Sequence, residues 1–201
     1  MAVRVAIIVC ATSFLLGILF THWIADSLTL WKAAQLDGAD ARLWTAASYY
    51  RVLMSGDPRN AYVALGVATL GGISLVMSLH DGKAFNLMFD GGSTFLFATA
   101  GAMYSYHVLP ILLQDISTLP SSPAKDTPFP SELRIPTMSL ASSHLVCSVT
   151  LTGVILLQAA RRWSEREDSG APELAPSAGV EQKKVAESKP QAGKGKKAKA
   201  A

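Results

Sequence analysis

The chain has few of the features on which a soluble enzyme or a secreted disulfide-bonded domain depends. Only two cysteines occur in 201 residues, Cys10 and Cys147, and both lie inside apolar segments. This placement excludes a disulfide framework in the loops, and Cys-x-x-Cys metal spacing is absent. No Asn-x-Ser/Thr acceptor for glycosylation occurs either. We expect both thiols to behave as small apolar groups.

Catalytic signatures are also missing. His-Glu-x-x-His, Gly-x-Ser-x-Gly, phosphate-binding and paired-carboxylate patterns do not occur. Four polar residues fall at or near membrane depth: Asp90, His107, His144 and Gln158. We expect a neighbouring helix or headgroup water to satisfy the two histidines. No doubled set of broken helices indicates a transporter. The sequence therefore predicts no catalytic residue, no metal and no cofactor.

What the chain does contain is four apolar stretches, near residues 5–23, 61–79, 91–113 and 138–160. About twenty helical residues cross the ~30 Å hydrocarbon layer of a bilayer. The sequence thus predicts an all-α membrane protein with a four-span domain over residues 1–160. The first stretch could instead be a signal peptide, but its length and the absence of a small-x-small cleavage pair favour an uncleaved span.

The remaining segment, residues 161–201, differs sharply in composition. It carries ten of the 18 Lys and Arg residues and no aromatic beyond Trp163. Such a segment cannot bury enough apolar surface to offset its ordering entropy, so we predict a disordered tail. The basic charge is concentrated there and does not indicate a nucleic-acid partner. Basic residues flanking the spans are nearly balanced, but Arg161 and Arg162 abut the fourth span and favour cytoplasmic termini.

A short amphipathic helix is predicted in the first loop, between Asp40 and Met54. Leu43, Ala47 and Tyr50 recur at helical spacing, and Asp40 is available as an N-cap. This helix could lie on the lumenal membrane surface, with its aromatic residues at headgroup level, or pack onto the spans as a lid. The proline-rich segment between the third and fourth spans is expected to run extended.

Small residues recur along the spans at four-residue spacing, which lets helices approach closely in lipid. These faces could simply hold the four spans together, or some could receive the helices of another membrane protein. The candidate positions for packing a client helix are Ala64, Ala68, Gly72, Ser139, Ser143 and Gly153.

An ordered set of short motifs runs through the spans. The first span contains TSFLLG at residues 12–17, followed by an aspartate and Leu-Trp; the fourth contains ASS at 141–143 and GVILLQ at 153–158. The motif positions are Phe14, Leu15, Leu16, Gly17, Asp26, Tyr50, Gly153, Val154, Ile155 and Gln158. With these motifs, the chain resembles the SHR-type (super-high-histidine-resistant) packaging chaperones of the fungal endoplasmic reticulum. It departs from that pattern at Ile24, where a proline is expected, and in its proline-rich third loop.

The resemblance implies a non-enzymatic chaperone of the endoplasmic-reticulum membrane whose clients are amino acid permeases. Its spans would hold newly made permease helices and prevent their aggregation, and its tail would meet vesicle coat proteins. The alternative is a four-span accessory subunit that stays with its partner. An intramembrane enzyme, the third class, would require His144 for activity.

Two lysines near the C-terminus, Lys197 and Lys199, resemble the Lys-x-Lys-x-x signal by which vesicle coats retrieve membrane proteins to the endoplasmic reticulum. The alternative is a polybasic segment that rests on anionic lipid.

Overall fold

The structure is a computed structural model that describes residues 2–31, 39–80, 84–119 and 128–170, and every regular element in these ranges is helical. The elements in chain order are α1 (Ala2–Leu30), α2 (Ala39–Met54), α3 (Arg59–Leu79), α4 (Ala84–Met103) and α5 (Ser131–Gly170). Two π-helical turns, Tyr104–Val108 and Ile111–Asp115, and a 3-10 turn, Ile116–Thr118, prolong α4.

Four segments of the described chain are long and apolar enough to cross a membrane, which confirms the predicted number of spans. They are Val3–Leu30, Arg59–Leu79, Leu87–Thr118 and Ser131–Arg166. Three of them extend well beyond the apolar stretches that predicted them. The added turns carry polar residues such as Asp26, Asp90 and Arg161, which an apolar window leaves out.

The four spans form a ring in which α1 and α4 each pack against both α3 and α5. The start of α1 meets the end of α3, where the Arg4 guanidinium donates to the Met77 carbonyl oxygen at 3.5 Å. The last turns of α5 lie at the same end, since Arg161 donates a hydrogen bond to Ser78 in the last turn of α3. We call this the terminal end of the bundle, and the other end the α2 end.

Helix α2 is a lid on the bundle. The predicted apolar face is confirmed: Leu43, Ala47 and Tyr50 are all buried. They share one core cluster with Leu112 and Leu140 from the α4 extension and α5. Tyr50 faces the interior of the bundle rather than the membrane surface, since only 1% of its surface is exposed.

The predicted N-cap role of Asp40 is also replaced by a tertiary one. Asp40 lies in the first turn of α2, where its carboxylate accepts from Arg134 at 2.5 Å and from the Phe129 backbone N–H at 3.2 Å. Phe129 is buried and packs edge-on against Trp44. Asp40 thereby fastens the start of α2 to the segment that enters α5. The rest of the proline-rich loop, residues 120–127, lies outside the described residues.

The π-helical turns surround Pro110. Proline lacks an N–H, and its ring clashes with the carbonyl oxygen four residues earlier in an α-helix. Widening the helix relieves this clash without ending the span. Tyr106 and His107 are exposed on the first of these turns.

Helix α5 continues to Gly170, ten residues beyond the position at which the tail was predicted to begin. Arg161 is buried rather than part of a solvated tail. The helix continues because Arg161 has partners on both sides, Asp90 in α4 and Glu165 one turn later. The predicted disordered tail beyond Gly170, including Lys197 and Lys199, lies outside the described residues.

Candidate functional site

Two buried polar clusters lie at opposite ends of the bundle, and both contain residues of the ordered motifs. The Asp26 cluster, at the α2 end, consists of Asp26, Tyr50 and His144, with His22 and Tyr49 beside them. The Asp90 cluster, at the terminal end, consists of Asp90, Arg161, Gln158, Ser78 and Ser93.

The Asp26 cluster joins three helices through one carboxylate. Tyr50 of α2 donates its hydroxyl to Asp26 Oδ1 in a very short hydrogen bond. His144 Nδ1 of α5 lies 3.0 Å from Asp26 Oδ2, so a hydrogen on Nδ1 would be donated to this oxygen. Asp26 itself belongs to α1 and is 3% exposed. A buried carboxylate is tolerated only where such donors replace water.

Tyr50 acts in this cluster as a neutral donor. Its burial raises the pKa of the hydroxyl far above the ordinary value, and the neighbouring Asp26 raises it further. Both causes penalise the phenolate, because it would be desolvated beside another negative charge. The hydroxyl therefore keeps its proton and fastens α2 to α1.

A second pair surrounds this hydrogen-bonded core. His22 Nδ1 of α1 lies 3.0 Å from the Tyr49 hydroxyl, which itself donates to the Thr21 carbonyl oxygen. The rings of His22 and His144 have their centroids 5.3 Å apart. Together these contacts place two tyrosines of α2 against two histidines of the spans.

The Asp90 cluster is built on a buried ion pair. Arg161 Nη1 lies 2.6 Å and 2.5 Å from the two carboxylate oxygens of Asp90, and both side chains are nearly fully buried. Ser78 accepts from Arg161 at 2.8 Å and donates to Asp90 at 2.7 Å. The ion pair and this hydroxyl therefore join α3, α4 and α5 at a single point.

Gln158 completes the Asp90 cluster. Its Nε2 donates to Ser93 at 2.9 Å and to Asp90 Oδ1 at 3.2 Å. Its Oε1 has no hydrogen-bond partner within the described ranges. Reversing the amide would set that oxygen against the Asp90 carboxylate, so the acidic neighbour determines the orientation.

The candidate client-packing residues fall into two groups. Ser143 is buried inside the bundle, and a Cβ on Gly153 would come within 2.7 Å of Leu96 in α4. These two positions hold the chain's own helices together. The others are partly accessible: Ala64, Ala68, Gly72 and Ser139 are each half-buried.

The motif positions do not form one surface. Asp26, Tyr50 and Gln158 belong to the two clusters, and Val154 is fully buried between the spans. The others are divided between packing inside the bundle and facing out of it: Leu15 and Leu16 pack against a core cluster, Ile155 is half-buried, and Phe14 and Gly17 are exposed.

Sequence reasoning missed Arg161, Ser78 and His22 as members of these clusters. Arg161 was interpreted only as a charge flanking the span, although an arginine three residues after Gln158 shares its helix face. That spacing was the available signal. Ser78 and His22 gave none. The expectation that a neighbouring helix satisfies His144 is confirmed, since its partners are Asp26 and Tyr50.

The polar side chains of both clusters are engaged mainly with one another. Across the described ranges, no group of three or more His, Cys, Asp or Glu side chains is placed to hold a metal ion. The carboxylates of both clusters are occupied by internal donors. The arrangement can join helices and fix their register.

These features define a polytopic all-α membrane protein whose buried polar groups pair chiefly with one another. The model of the SHR3 chaperone family, described as "ER membrane protein SH3", matches residues 1–199. The chain belongs to this family of endoplasmic-reticulum membrane proteins, which is a class of chaperones rather than of enzymes. The resemblance drawn from the ordered motifs is confirmed.

One curated relative is the secretory component protein psh3 of Schizosaccharomyces pombe. It is 29% identical over 154 residues, which cover 75% of this chain and 65% of that protein. This chain therefore matches slightly less than two thirds of the relative's length. No solved structure matches the chain.

Proposed function

We propose that this chain is a chaperone of the endoplasmic-reticulum membrane that assists the folding of amino acid permeases and their packaging into export vesicles. It would act by covering permease helices until they pack, and so prevent their aggregation. The observation that carries the proposal is the match of the chaperone family to residues 1–199. The relative described as a secretory component supports the link to export.

The outer surface of the bundle supports this role. Gly17, Gly66 and Gly101 are exposed, and a Cβ built at each would meet nothing within 4 Å. Another helix can approach such positions closely, and close packing is the main source of helix association in lipid. Among the residues predicted to pack against a client helix, we propose that Ala64, Ala68 and Ser139, which are half-buried, remain accessible to it.

The localisation of cargo tests the function. In cells that lack the chain, several amino acid permeases should accumulate in the endoplasmic reticulum, while unrelated secretory cargo leaves normally. Re-expression of the chain should restore permease export. Normal export of permeases in the deleted cells would contradict the proposal, and co-localisation with one partner at its final membrane would support an accessory subunit instead.

We further propose that both termini face the cytoplasm and that α2 faces the lumen. Single cysteines introduced by Lys125→Cys in the loop and Ser177→Cys in the tail, each without the native cysteines, report this in sealed microsomes. A membrane-impermeant maleimide should label the tail variant at once and the loop variant only after permeabilisation. The reverse pattern would overturn the orientation.

The C-terminal lysines are proposed to retrieve the protein through vesicle coats. Lys197→Ala together with Lys199→Ala should release the protein from the endoplasmic reticulum. The matched control, Lys194→Ala with Lys196→Ala, removes the same charge and should leave the location unchanged. Equal effects of the two double variants would favour a polybasic contact with anionic lipid.

A further inference from the structure

Helix α3 is buried unevenly along its length. All of its fully buried residues lie in the half nearer the terminal end: Gly71, Ser74, Leu75 and Ser78. None of residues 59–70 is buried. In that half, large side chains such as Tyr62 and Leu65 are more than three-fifths exposed on the outside of the bundle.

The two halves also differ in how they are held. Ser78 is bonded to both members of the Asp90–Arg161 ion pair, and Leu75 shares a core cluster with Ile8 and Val154. In the other half, Thr69 donates only to the carbonyl oxygen of its own helix at Leu65. Within the described residues, no side-chain hydrogen bond or ion pair joins residues 61–70 to another span.

A pair of glycines stands where the two halves meet. Gly71 packs closely between Ala11 and Phe97: a Cβ at this position would lie 3.1 Å from Ala11 and 3.2 Å from Phe97. Gly71 therefore belongs to the anchored half. Gly72 is the next residue, and it points to a different side of the helix. Glycine adds backbone freedom to a helix, and helices bend most readily at such residues.

We propose that α3 is a hinged span that pivots at Gly71–Gly72, with the half after the glycines fixed by the Asp90 cluster and the half before them free to swing at the α2 end. The α2 lid limits the motion, because residues 55–58 are all that separate α2 from α3. A bend of about 20° at the glycines would move Tyr62, ~15 Å away, by about 5 Å.

Distances between spin labels test the hinge in the full chain, reconstituted in lipid nanodiscs without its native cysteines. One label pair, Tyr62→Cys with Ser142→Cys, reports the α2 end. A second pair, Val76→Cys with Leu156→Cys, reports the terminal end. We expect a broad distance distribution for the first pair and a narrow one for the second. Equally narrow distributions would overturn the proposal.

Two matched glycine variants then locate the pivot. Gly72→Ala stiffens the helix at the proposed hinge, and its Cβ would meet Phe97 at an ordinary 3.6 Å. Gly66→Ala makes the same chemical change within the swinging half, where a Cβ meets nothing. Gly72→Ala should narrow the first distribution, and Gly66→Ala should leave it unchanged. An equal response to both variants would refute a hinge at the glycine pair, whatever the function of the protein.

Discussion

The Asp90–Arg161 ion pair offers the sharpest test of how the bundle is held together. Arg161→Met keeps much of the side-chain volume and removes the charge, which leaves the Asp90 carboxylate buried without its cation. Removing one partner of a buried pair costs about 3–5 kcal/mol, because the remaining charge is uncompensated. Asp90 keeps Ser78 and Gln158 as donors, so we expect about 3 kcal/mol, the lower end of that range.

The second variant removes both charges. Arg161→Met combined with Asp90→Asn leaves a neutral amide whose oxygen can accept from Gln158 and whose NH2 group can donate to the Ser78 hydroxyl. Because a buried ion pair is often no more stable than a neutral replacement, the double variant should lie within about 1.5 kcal/mol of the parent protein. The two substitutions should therefore be strongly non-additive.

The free energy of unfolding in mixed micelles, followed by circular dichroism as the fraction of denaturing detergent rises, measures these differences. Arg162→Met is the control, because Arg162 lies next to Arg161 and is exposed. It should change stability by less than about 0.5 kcal/mol. If Arg161→Met were as mild as this control, or if the double variant were the sum of its parts, the reasoning about a buried pair would be refuted.

Three further predictions concern the α2 end and the packing of α5. Tyr50→Phe removes the donor to Asp26, and we expect a loss of about 1–2 kcal/mol of unfolding free energy, with faster protease cleavage between α2 and α3. Since the pKa of Tyr50 is raised in the folded protein, the folded state holds a proton that the unfolded state releases above pH ~10. The stability of the parent relative to Tyr50→Phe should then fall by about 1 kcal/mol between pH 10 and 11, and a constant difference would contradict this. Gly153→Leu should cost about 1–3 kcal/mol in the same unfolding assay by overpacking against Leu96, whereas Gly17→Leu, on an open face, should be nearly neutral; equal costs would show that Gly153 is not a packing contact.

The number of spans and the face of α2 could be predicted because they depend on local pattern. Hydrophobic length sets a span, and helical spacing aligned Leu43, Ala47 and Tyr50 on one side before any neighbour was known. Neither the number of spans nor the apolar face of α2 depends on how the helices are arranged. The family resemblance was likewise carried by short local motifs in a fixed order.

The ends of the spans could not be predicted from the same pattern. An apolar window stops at the first charged residue, so it ended the fourth span before Arg161 and began the third after Asp90. In the structure these two residues neutralise each other across α4 and α5. A charged residue can be assigned to a span only when its partner is known. Here the two partners, Asp90 and Arg161, are 71 positions apart in the chain.

The same limit explains why Asp26 and Tyr50 were recognised only as motif positions. Their roles depend on His144, which is distant in sequence and meets them only once α1, α2 and α5 have packed. Of the polar side chains that looked like isolated candidates for chemistry, Asp90 and Gln158 are partners of each other, and His144 pairs with Asp26 and Tyr50. Because each cluster joins three helices, they act as fixed points at opposite ends of the bundle.

The position of these fixed points bears on what the bundle can do. The Asp90 cluster includes α3 through Ser78, but the Asp26 cluster does not include it; there the fastened elements are α1, α2 and α5. At the α2 end, the described residues show no side-chain hydrogen bond from α3 to another span, and residues 55–58 connect α3 directly to the lid. A protein that must hold other helices briefly and release them needs one stable frame and one part that yields at low cost. The proposed hinge would divide the molecule in this way, with α1, α5 and the α4 extension as the frame and the first half of α3 as the part that yields.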